Sequence, residues 1–291
     1  MTLDDFLKWA SEYFEQHDLY YGHGTDNAWD EAVMLALYVL QLPAYNDVSI
    51  LDRKLTATEQ TQLQDLAEQR VTKRIPVPYL THEAWFAGER YYVNEHVLIP
   101  RSPCEEIIAN HFQPWLGALQ PKSILDLCSG SGCIAIYCAK EFPQASVDAA
   151  DISVDALNVA RKNIALHNCI DRVHAIESDL FTALAGKQYD IIISNPPYVG
   201  QQEMAELPLE YKHEPVLALE SGIEGLDLTV KILQQASQHL TENGLLVVEV
   251  GNSWRALEEK YPKVAFTWLE FAHGGEGVFL LTAEYLRTLK L

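Results

Sequence analysis

From residue 123 onward the chain alternates short apolar runs with longer amphipathic stretches, and that alternation restricts its fold more than any other feature. The runs 123–128, 146–150, 172–178, 189–194 and 245–250 have strand length and composition, while 133–142, 154–167 and 225–240 carry helical spacing between most of them. Parallel strands need a crossover of helix length, so the pattern predicts an α/β fold with a parallel sheet covered by helices on both faces. The segments 265–271 and 277–282 are two further strands, joined by a turn too short for a helix, and are expected to pair antiparallel.

The first 75 residues have a different period. Leu3, Phe6, Leu7, Ala10 and Phe14 recur at helical spacing; Trp29, Val33, Ala36, Leu37 and Leu40 repeat it behind an Asp26 cap, and Leu63, Leu66 and Ala67 follow Thr58. Three amphipathic helices make a small bundle over 1–75. Pro76 and Pro78 close it, and 84–93 reads as two β-rich pieces around a turn, so 76–105 is expected to be a hairpin linker. It ends in the loop Ile99-Pro100-Arg101-Ser102-Pro103, and a helix is expected over 105–112. The nucleotide-type domain then spans 106–291.

Charge and composition narrow the function. With 21 Lys and Arg against 41 Asp and Glu the formal net charge is −20, which repels a phosphate backbone and attracts basic partners, or serves solubility alone. No direct nucleic-acid binding is expected. No run approaches the ~20 apolar residues of a membrane span, and the acidic start Met1-Thr2-Leu3-Asp4-Asp5 is unlike a signal peptide, so a cytoplasmic location is expected. The 5 cysteines are odd in number and form no C-x-x-C pair, and the 10 histidines form no metal motif; neither a disulfide framework nor a metal site is expected.

The chemistry concentrates at strand ends. Asp126-Leu127-Cys128-Ser129-Gly130-Ser131-Gly132 joins the first strand of the sheet to the helix beginning near Cys133, where glycines let a ligand approach and a helix N-terminus offers free N–H groups. Asp151 lies 21 residues beyond Gly130 at the end of the second strand, placed to accept ribose hydroxyls. An adenosine-containing ligand follows. Gly130-x-Gly132-x-x-Ala135 also fits the relaxed dinucleotide pattern, so the glycines alone do not separate NAD from other nucleotides. Asp179 after the third strand is either an acceptor for an adenine amino group or a helix cap.

Asn195-Pro196-Pro197-Tyr198 is more discriminating. It follows the apolar strand 191–194 at the edge where parallel sheets bind ligands. Two prolines fix φ and remove two donors, so the Asn195 side-chain carbonyl and the Pro196 backbone carbonyl form a rigid pair of acceptors for a planar NH₂ group, with Tyr198 stacking on its face. An NAD dehydrogenase leaves this element unexplained.

Asp126 to Gly132 resembles the nucleotide loop of S-adenosylmethionine-dependent methyltransferases, and Asn195-Pro196-Pro197-Tyr198 resembles the signature of those that methylate planar amino or amide nitrogens. With the N-terminal helices, the hairpin and Ile99-Pro100-Arg101, the chain is similar over nearly its whole length to the protein-glutamine methyltransferases. Arg101-Ser102-Pro103 and Leu127-Cys128-Ser129 are more similar to the branch acting on the third protein of the large ribosomal subunit than to the branch acting on peptide-release factors.

The resemblance implies a Rossmann-like class I methyltransferase sheet of seven strands. It implies S-adenosylmethionine bound by Asp126, Cys128, Ser129, Gly130, Ser131, Gly132, Asp151, Ile152, Asp179, Leu180 and Asn195. Asn195, Pro196, Pro197 and Tyr198 would take the glutamine of a basic ribosomal protein, Asn195, Pro196 and Tyr198 being catalytic. Arg101 either contacts cofactor or substrate or forms a structural salt bridge, and Glu214, Pro215, Glu220, Gly222 and Gly225 fall in a segment resembling the family's substrate-covering loop. Two residues depart from the pattern: Cys128 stands at the usual first glycine, and Leu180 where release-factor enzymes commonly carry Trp.

Overall fold

Polar caps define where the N-terminal helices begin. Thr2 opens α1 (Leu3–Glu15) with a reciprocal capping box: its hydroxyl accepts from the Asp5 N–H, and the Asp5 carboxylate accepts from the Thr2 N–H. Asn27 opens α2 (Ala28–Leu40) by accepting from the Asp30 N–H, and Thr56 opens α3 (Ala57–Lys73) with Glu59 as its box partner. The starts expected at Asp26 and Thr58 thus lie at Asn27 and Thr56, where the cap oxygen reaches an N–H three residues on.

All five predicted core residues of α1 are buried. In α2 the buried stripe is turned by one position: Ala28, Ala32, Leu35, Ala36 and Leu40 face the core while Trp29 is 39% exposed. That helix is apolar on most of its circumference, so spacing alone does not select the face that meets α1.

This computed structural model describes residues 1–43 and 47–290; residues 44–46 of the first predicted region and 291 of the last lie outside the described residues. After α3 come α4 (Val77–Thr81) and the antiparallel hairpin β1 (Glu83–Phe86) and β2 (Glu89–Tyr92). Next is α5 (Cys104–Ala109), shorter than expected because His111 and Phe112 adopt left-handed φ values of 50° and 52°.

The remaining elements are β3 (Ser123–Leu127), α6 (Cys133–Glu141), β4 (Ser146–Asp151), α7 (Val154–Leu166), β5 (Val173–Glu177), β6 (Tyr189–Ser194) and α8 (Gln201–Glu206). They are followed by α9 (Asp227–Ala236), β7 (Leu240–Glu249), α10 (Trp254–Lys260), β8 (Thr267–Trp268), β9 (Val278–Thr282) and α11 (Ala283–Thr288).

The large sheet has seven strands in the order β5-β4-β3-β6-β7-β9-β8, parallel from β5 to β7, with β9 antiparallel to both β7 and β8. Its side chains alternate between two cores. Ile191, Ile193, Leu245, Val247, Val278 and Leu280 join the layer built on α5 and α6, whereas Ile192, Leu246, Val248, Phe279 and Leu281 join the layer built on α9 and α11. Among the described residues no helix is long and apolar enough to cross a membrane.

A buried ion cluster fastens the N-terminal helices to the segment after β6. Arg70 on α3 is fully buried and donates to both Glu31 oxygens (2.7 and 3.2 Å), to Glu210 Oε1 (3.1 Å) and to the Tyr20 carbonyl (2.7 Å). Glu210 lies in the 3-10 turn Leu209–His213 and also accepts from the Tyr20 N–H (3.1 Å). Removing one member of such a cluster leaves charge buried without compensation. Arg70→Ala should therefore lower the unfolding free energy by about 3–5 kcal/mol. Urea denaturation checks this, and a loss below about 1 kcal/mol, typical of a surface pair, would contradict it.

Candidate active site

Strand register brings the predicted residues together. Leu127 at the end of β3 pairs with Ala150 of β4 on one side and with Ser194 of β6 on the other, so the chain leaves all three strands at one edge. There the loop from Cys128, Asp151 and Asn195 surround a cavity of about 1080 Å³, open solvent included. The strand order reverses at β3, where open α/β sheets bind ligands.

The glycine loop forms one wall. Cys128, Ser129, Gly130 and Ser131 all line the cavity. Gly130 has φ +52°, and a Cβ added to it would meet nothing within 4 Å, so the backbone itself borders the space a ligand would fill. The Ser129 hydroxyl is buried without a partner among the described residues. Cys128 adopts φ +63°, a left-handed conformation that glycine accepts at no steric cost. Burial pushes its thiol pKa up, so it stays a neutral, small side chain.

Two members of the loop stand behind the wall instead of on it. Asp126 is 1% exposed and its Oδ2 accepts from the Ala135 N–H at 3.0 Å, so it anchors the first turn of α6. Burial pushes its pKa up to about 8. Gly132 caps α6 at φ +77°, and a Cβ there would come within 3.2 Å of Ala160 Cβ, so its absence lets α7 pack close. Neither is among the residues that line the cavity.

The far wall is acidic and apolar. Asp151 accepts from the Gly130 N–H (2.8 Å) and the Ser153 N–H (2.9 Å), which leaves carboxylate lone pairs free for further donors. Burial raises its pKa, and those N–H groups pull it back. Ile152 is 50% exposed beside it. Asp179 lines the cavity with no side-chain partner among the described residues; the cap role open to it has no helix to serve, since a turn follows in which the Ser178 hydroxyl accepts from the Ala183 N–H at 3.1 Å. Leu180, at φ +47°, completes this wall.

Asn195 and Pro197 line the cavity, while Pro196 and Tyr198 lie off its wall. Among the described residues the Asn195 side-chain amide has no hydrogen-bond partner, although Ser194 before it is tied to the Leu127 carbonyl at 2.6 Å. The loop is stapled at its other end: Val199 N–H donates to Leu219 O (2.8 Å), Ser221 N–H to Val199 O (3.0 Å), and Ser253 Oγ to Tyr198 O (2.8 Å). Tyr198 was expected to stack on a substrate face. Its hydroxyl donates to Glu249 Oε1 at 2.9 Å, so it backs the loop from the side.

Arg101 lines the cavity but its guanidinium is engaged. It donates through Nη1 and Nη2 to Glu214 Oε1 and Oε2 at 2.6 and 2.7 Å, a bidentate pair. Burial alone would raise the Glu214 pKa; the Arg101 charge overrides it and holds the carboxyl at about 2. Glu214 also accepts from the Ile99 N–H (3.0 Å), and Pro215, Leu217 and Ala218 just beyond it line the cavity. The salt-bridge role left open for Arg101 is thus realised, and it anchors the cavity-lining segment that follows Glu214.

Two organising residues carry no motif signal. Asn163 on α7, fully buried, accepts from the Tyr92 N–H and donates to Tyr92 O and Ser131 O, tying the hairpin to the glycine loop. Glu249 at the end of β7 receives both Ser102 Oγ and the Tyr198 hydroxyl. Neither is recognisable without knowing which segments meet.

This sheet order, with an open cavity at the switch point and a proline-rigid loop beside it, is that of a methyltransferase. A family model described as methyltransferase small domain matches residues 105–210. The ribosomal protein uL3 glutamine methyltransferase of Francisella tularensis subsp. tularensis (strain SCHU S4 / Schu 4) is 46% identical over 286 residues, covering 98% of this chain and 91% of that one. The protein of the same name from Bordetella pertussis (strain Tohama I / ATCC BAA-589 / NCTC 13251) is 43% identical over 288 residues, covering 99% and 97%. The chain belongs to the ribosomal protein uL3 glutamine methyltransferase family. Among solved structures, the hMettl16 catalytic domain in complex with MAT2A 3′UTR hairpin 6 has a TM-score of 0.53 at 16% identity, covering 85% of this chain and 91% of that one, a likeness of fold alone.

Two expectations follow from the geometry. Cys128→Gly should stay within about 1 kcal/mol of the parent because it relieves a left-handed side chain, while Cys128→Val should lose more, a β-branch being strained at positive φ. Scanning calorimetry ranks the pair, and Val equal to Gly would contradict the conformation. Glu214 titrates near 4.5 when unfolded and near 2 when folded, so its ionised form adds stability above about pH 4.5 that is lost as pH falls toward 2. Arg101→Gln should accordingly shift acid unfolding to higher pH; an unchanged midpoint would contradict the pairing.

Proposed function

We propose that this chain transfers a methyl group from S-adenosylmethionine to the side-chain amide nitrogen of a glutamine in ribosomal protein uL3. The observation that carries the reading is Asn195: an unpartnered amide, on a proline-fixed loop, facing a cavity bordered by Gly130 and Asp151. The relatives named for this activity support the substrate.

The residues fit the cofactor. The open space over Gly130 and the unpartnered Ser129 hydroxyl suit a ligand that packs on backbone, and the free lone pairs of Asp151 suit ribose hydroxyls. Cys128, Ser131, Ile152, Asp179 and Leu180 would complete its site, with Asp126 and Gly132 shaping the loop from behind. When bound, S-adenosylmethionine supplies a methyl group on a positively charged sulfur, which leaves as a neutral thioether.

A glutamine amide nitrogen is a poor nucleophile because its lone pair is delocalised into the carbonyl. Asn195 Oδ1 and the Pro196 carbonyl would accept its two N–H groups, turning the nitrogen toward the donor and holding it there. Positive charge builds on that nitrogen as the new N–C bond forms, so both carbonyl dipoles stabilise the transition state more than the ground state. The methylated nitrogen is strongly acidic and releases its extra proton to solvent. The helices over 1–75, locked to the covering segment by Arg70 and Glu210, would help select the protein that presents the glutamine, and the −20 charge favours a basic one. A ribosomal-protein substrate would be met in the cytoplasm, the location this reading favours.

Purified uL3 and purified release factors, each incubated with the enzyme and methyl-labelled S-adenosylmethionine, test the reading by peptide mass spectrometry. One methyl on a uL3 glutamine is expected; label confined to release factors or to RNA would overturn it. Asn195→Ala should lower kcat about 100-fold or more, the scale of removing a transition-state hydrogen bond. Its cofactor affinity should change only a few-fold, and full turnover would remove Asn195 from the chemistry.

A further inference from the structure

Glu249 ends β7 and is 5% exposed, yet the chemistry above makes no use of it. Burying a carboxylate is costly unless its oxygens are occupied. Here Oε1 receives the Tyr198 hydroxyl at 2.9 Å and Oε2 receives Ser102 Oγ at 2.6 Å. Burial raises its pKa, and the two hydroxyl donors and the nearby Arg101 charge pull it down. Ser102 also accepts from the Cys104 N–H at 3.2 Å, which fixes it at the start of α5. The two donors come from the two loops that flank the cavity, one following Arg101 and one closing the Asn195–Pro196–Pro197 run.

The Tyr198 ring has little freedom elsewhere. A Cβ at Gly251 would lie 2.5 Å from its Cε2, so the ring lies against bare backbone there, and Ser253 holds the Tyr198 carbonyl. Glu249 is the hydrogen-bond partner of its hydroxyl among the described residues. Between Tyr198 and Asn195 stand two prolines with φ fixed by their rings, so the segment moves nearly as one piece. A tilt at the tyrosine is carried to the two acceptor oxygens.

We propose that Glu249 is a positioning residue for methyl transfer: by gripping the Tyr198 hydroxyl and Ser102 together, it sets the tilt of the loop that carries the amide acceptors. The inference rests on that loop being the glutamine site. Glu249 touches neither substrate nor cofactor, so its effect falls on the chemical step and not on binding of the nucleotide.

A mutant cycle on the full-length enzyme tests this, with kcat on uL3, KM for S-adenosylmethionine and affinity for S-adenosylhomocysteine as readouts. Glu249→Ala and Tyr198→Phe should each lower kcat about tenfold or more, as small misplacements of reacting groups do, with cofactor affinity unchanged. The double variant should be no slower than the slower single one, because both remove the same contact. Glu249→Gln keeps an acceptor for the Tyr198 hydroxyl and can turn its amide N–H to the Ser102 oxygen, so it should restore kcat to within about threefold of the parent. Multiplying losses in the double variant, or loss confined to thermal stability, would overturn the proposal. Should Glu249→Ala fail to fold, Tyr198→Phe still decides, since full activity without the hydroxyl contradicts the grip. A parent enzyme inactive on every glutamine substrate would sink the reading of the loop and this inference with it; an active parent with multiplying losses sinks Glu249 alone.

Discussion

Everything at the site depends on the registration of β3 between β4 and β6. Leu127 is level with Ala150 and with Ser194, so three chain reversals occur at one height. Hydrogen bonds tie the three exits to one another: Ser129 N–H to Ala150 O, Ser178 N–H to Asp151 O, Ser194 Oγ to Leu127 O. Shifting one strand by a residue would turn every side chain of its alternating pattern to the opposite core. The apolar layers on both faces therefore protect the register, and the register in turn builds the cavity. Stability and function are joined at this point.

The second determinant is a chain of buried charge that begins far from the cavity. Arg70 on α3 grips Glu210, and four residues later Glu214 grips Arg101 and the Ile99 N–H. His23 Nε2 stands 3.5 Å from Glu214 Oε2 on the helical side. Buried ion pairs contribute little net stability against apolar replacements, but they tolerate few alternative arrangements. In this protein they join the N-terminal helices to the segment after Glu214, whose Pro215, Leu217 and Ala218 line the same cavity as Asn195. The same economy applies to Asn163 and Glu249, each of which joins two segments with one buried polar side chain.

Much of this architecture was legible in the sequence because it rests on period. The strand at 189–194 has the bounds read from its apolar run, and the antiparallel return at the C-terminus follows from a connection too short for a helix. Shorter elements escaped for a physical reason: α8 has no buried residue, so it leaves no apolar spacing to read. The face of α2 is legible only in part, Ala36 and Leu40 being buried as expected and Trp29 not, because an almost wholly apolar helix carries no phase; α9 ends at Ala236, short of the expected 240, and β7 already begins at Leu240. At the site, the glycine loop, Asp151 and Asn195 were identifiable since their chemistry is local to a strand end. Glu214's partner and the acceptor of the Tyr198 hydroxyl lie 113 and 51 residues away in sequence, and only the fold brings them together.

On this reading the loop from Asn195 holds a flat amide against a sulfonium donor. A crystal structure with S-adenosylhomocysteine and a glutamine-bearing uL3 peptide tests it most directly. The glutamine side-chain nitrogen is expected within hydrogen-bonding distance of both Asn195 Oδ1 and the Pro196 carbonyl, with the sulfur of the nucleotide on the opposite side of that nitrogen. A glutamine bound elsewhere, with Asn195 turned away from it, would remove the loop from the chemistry.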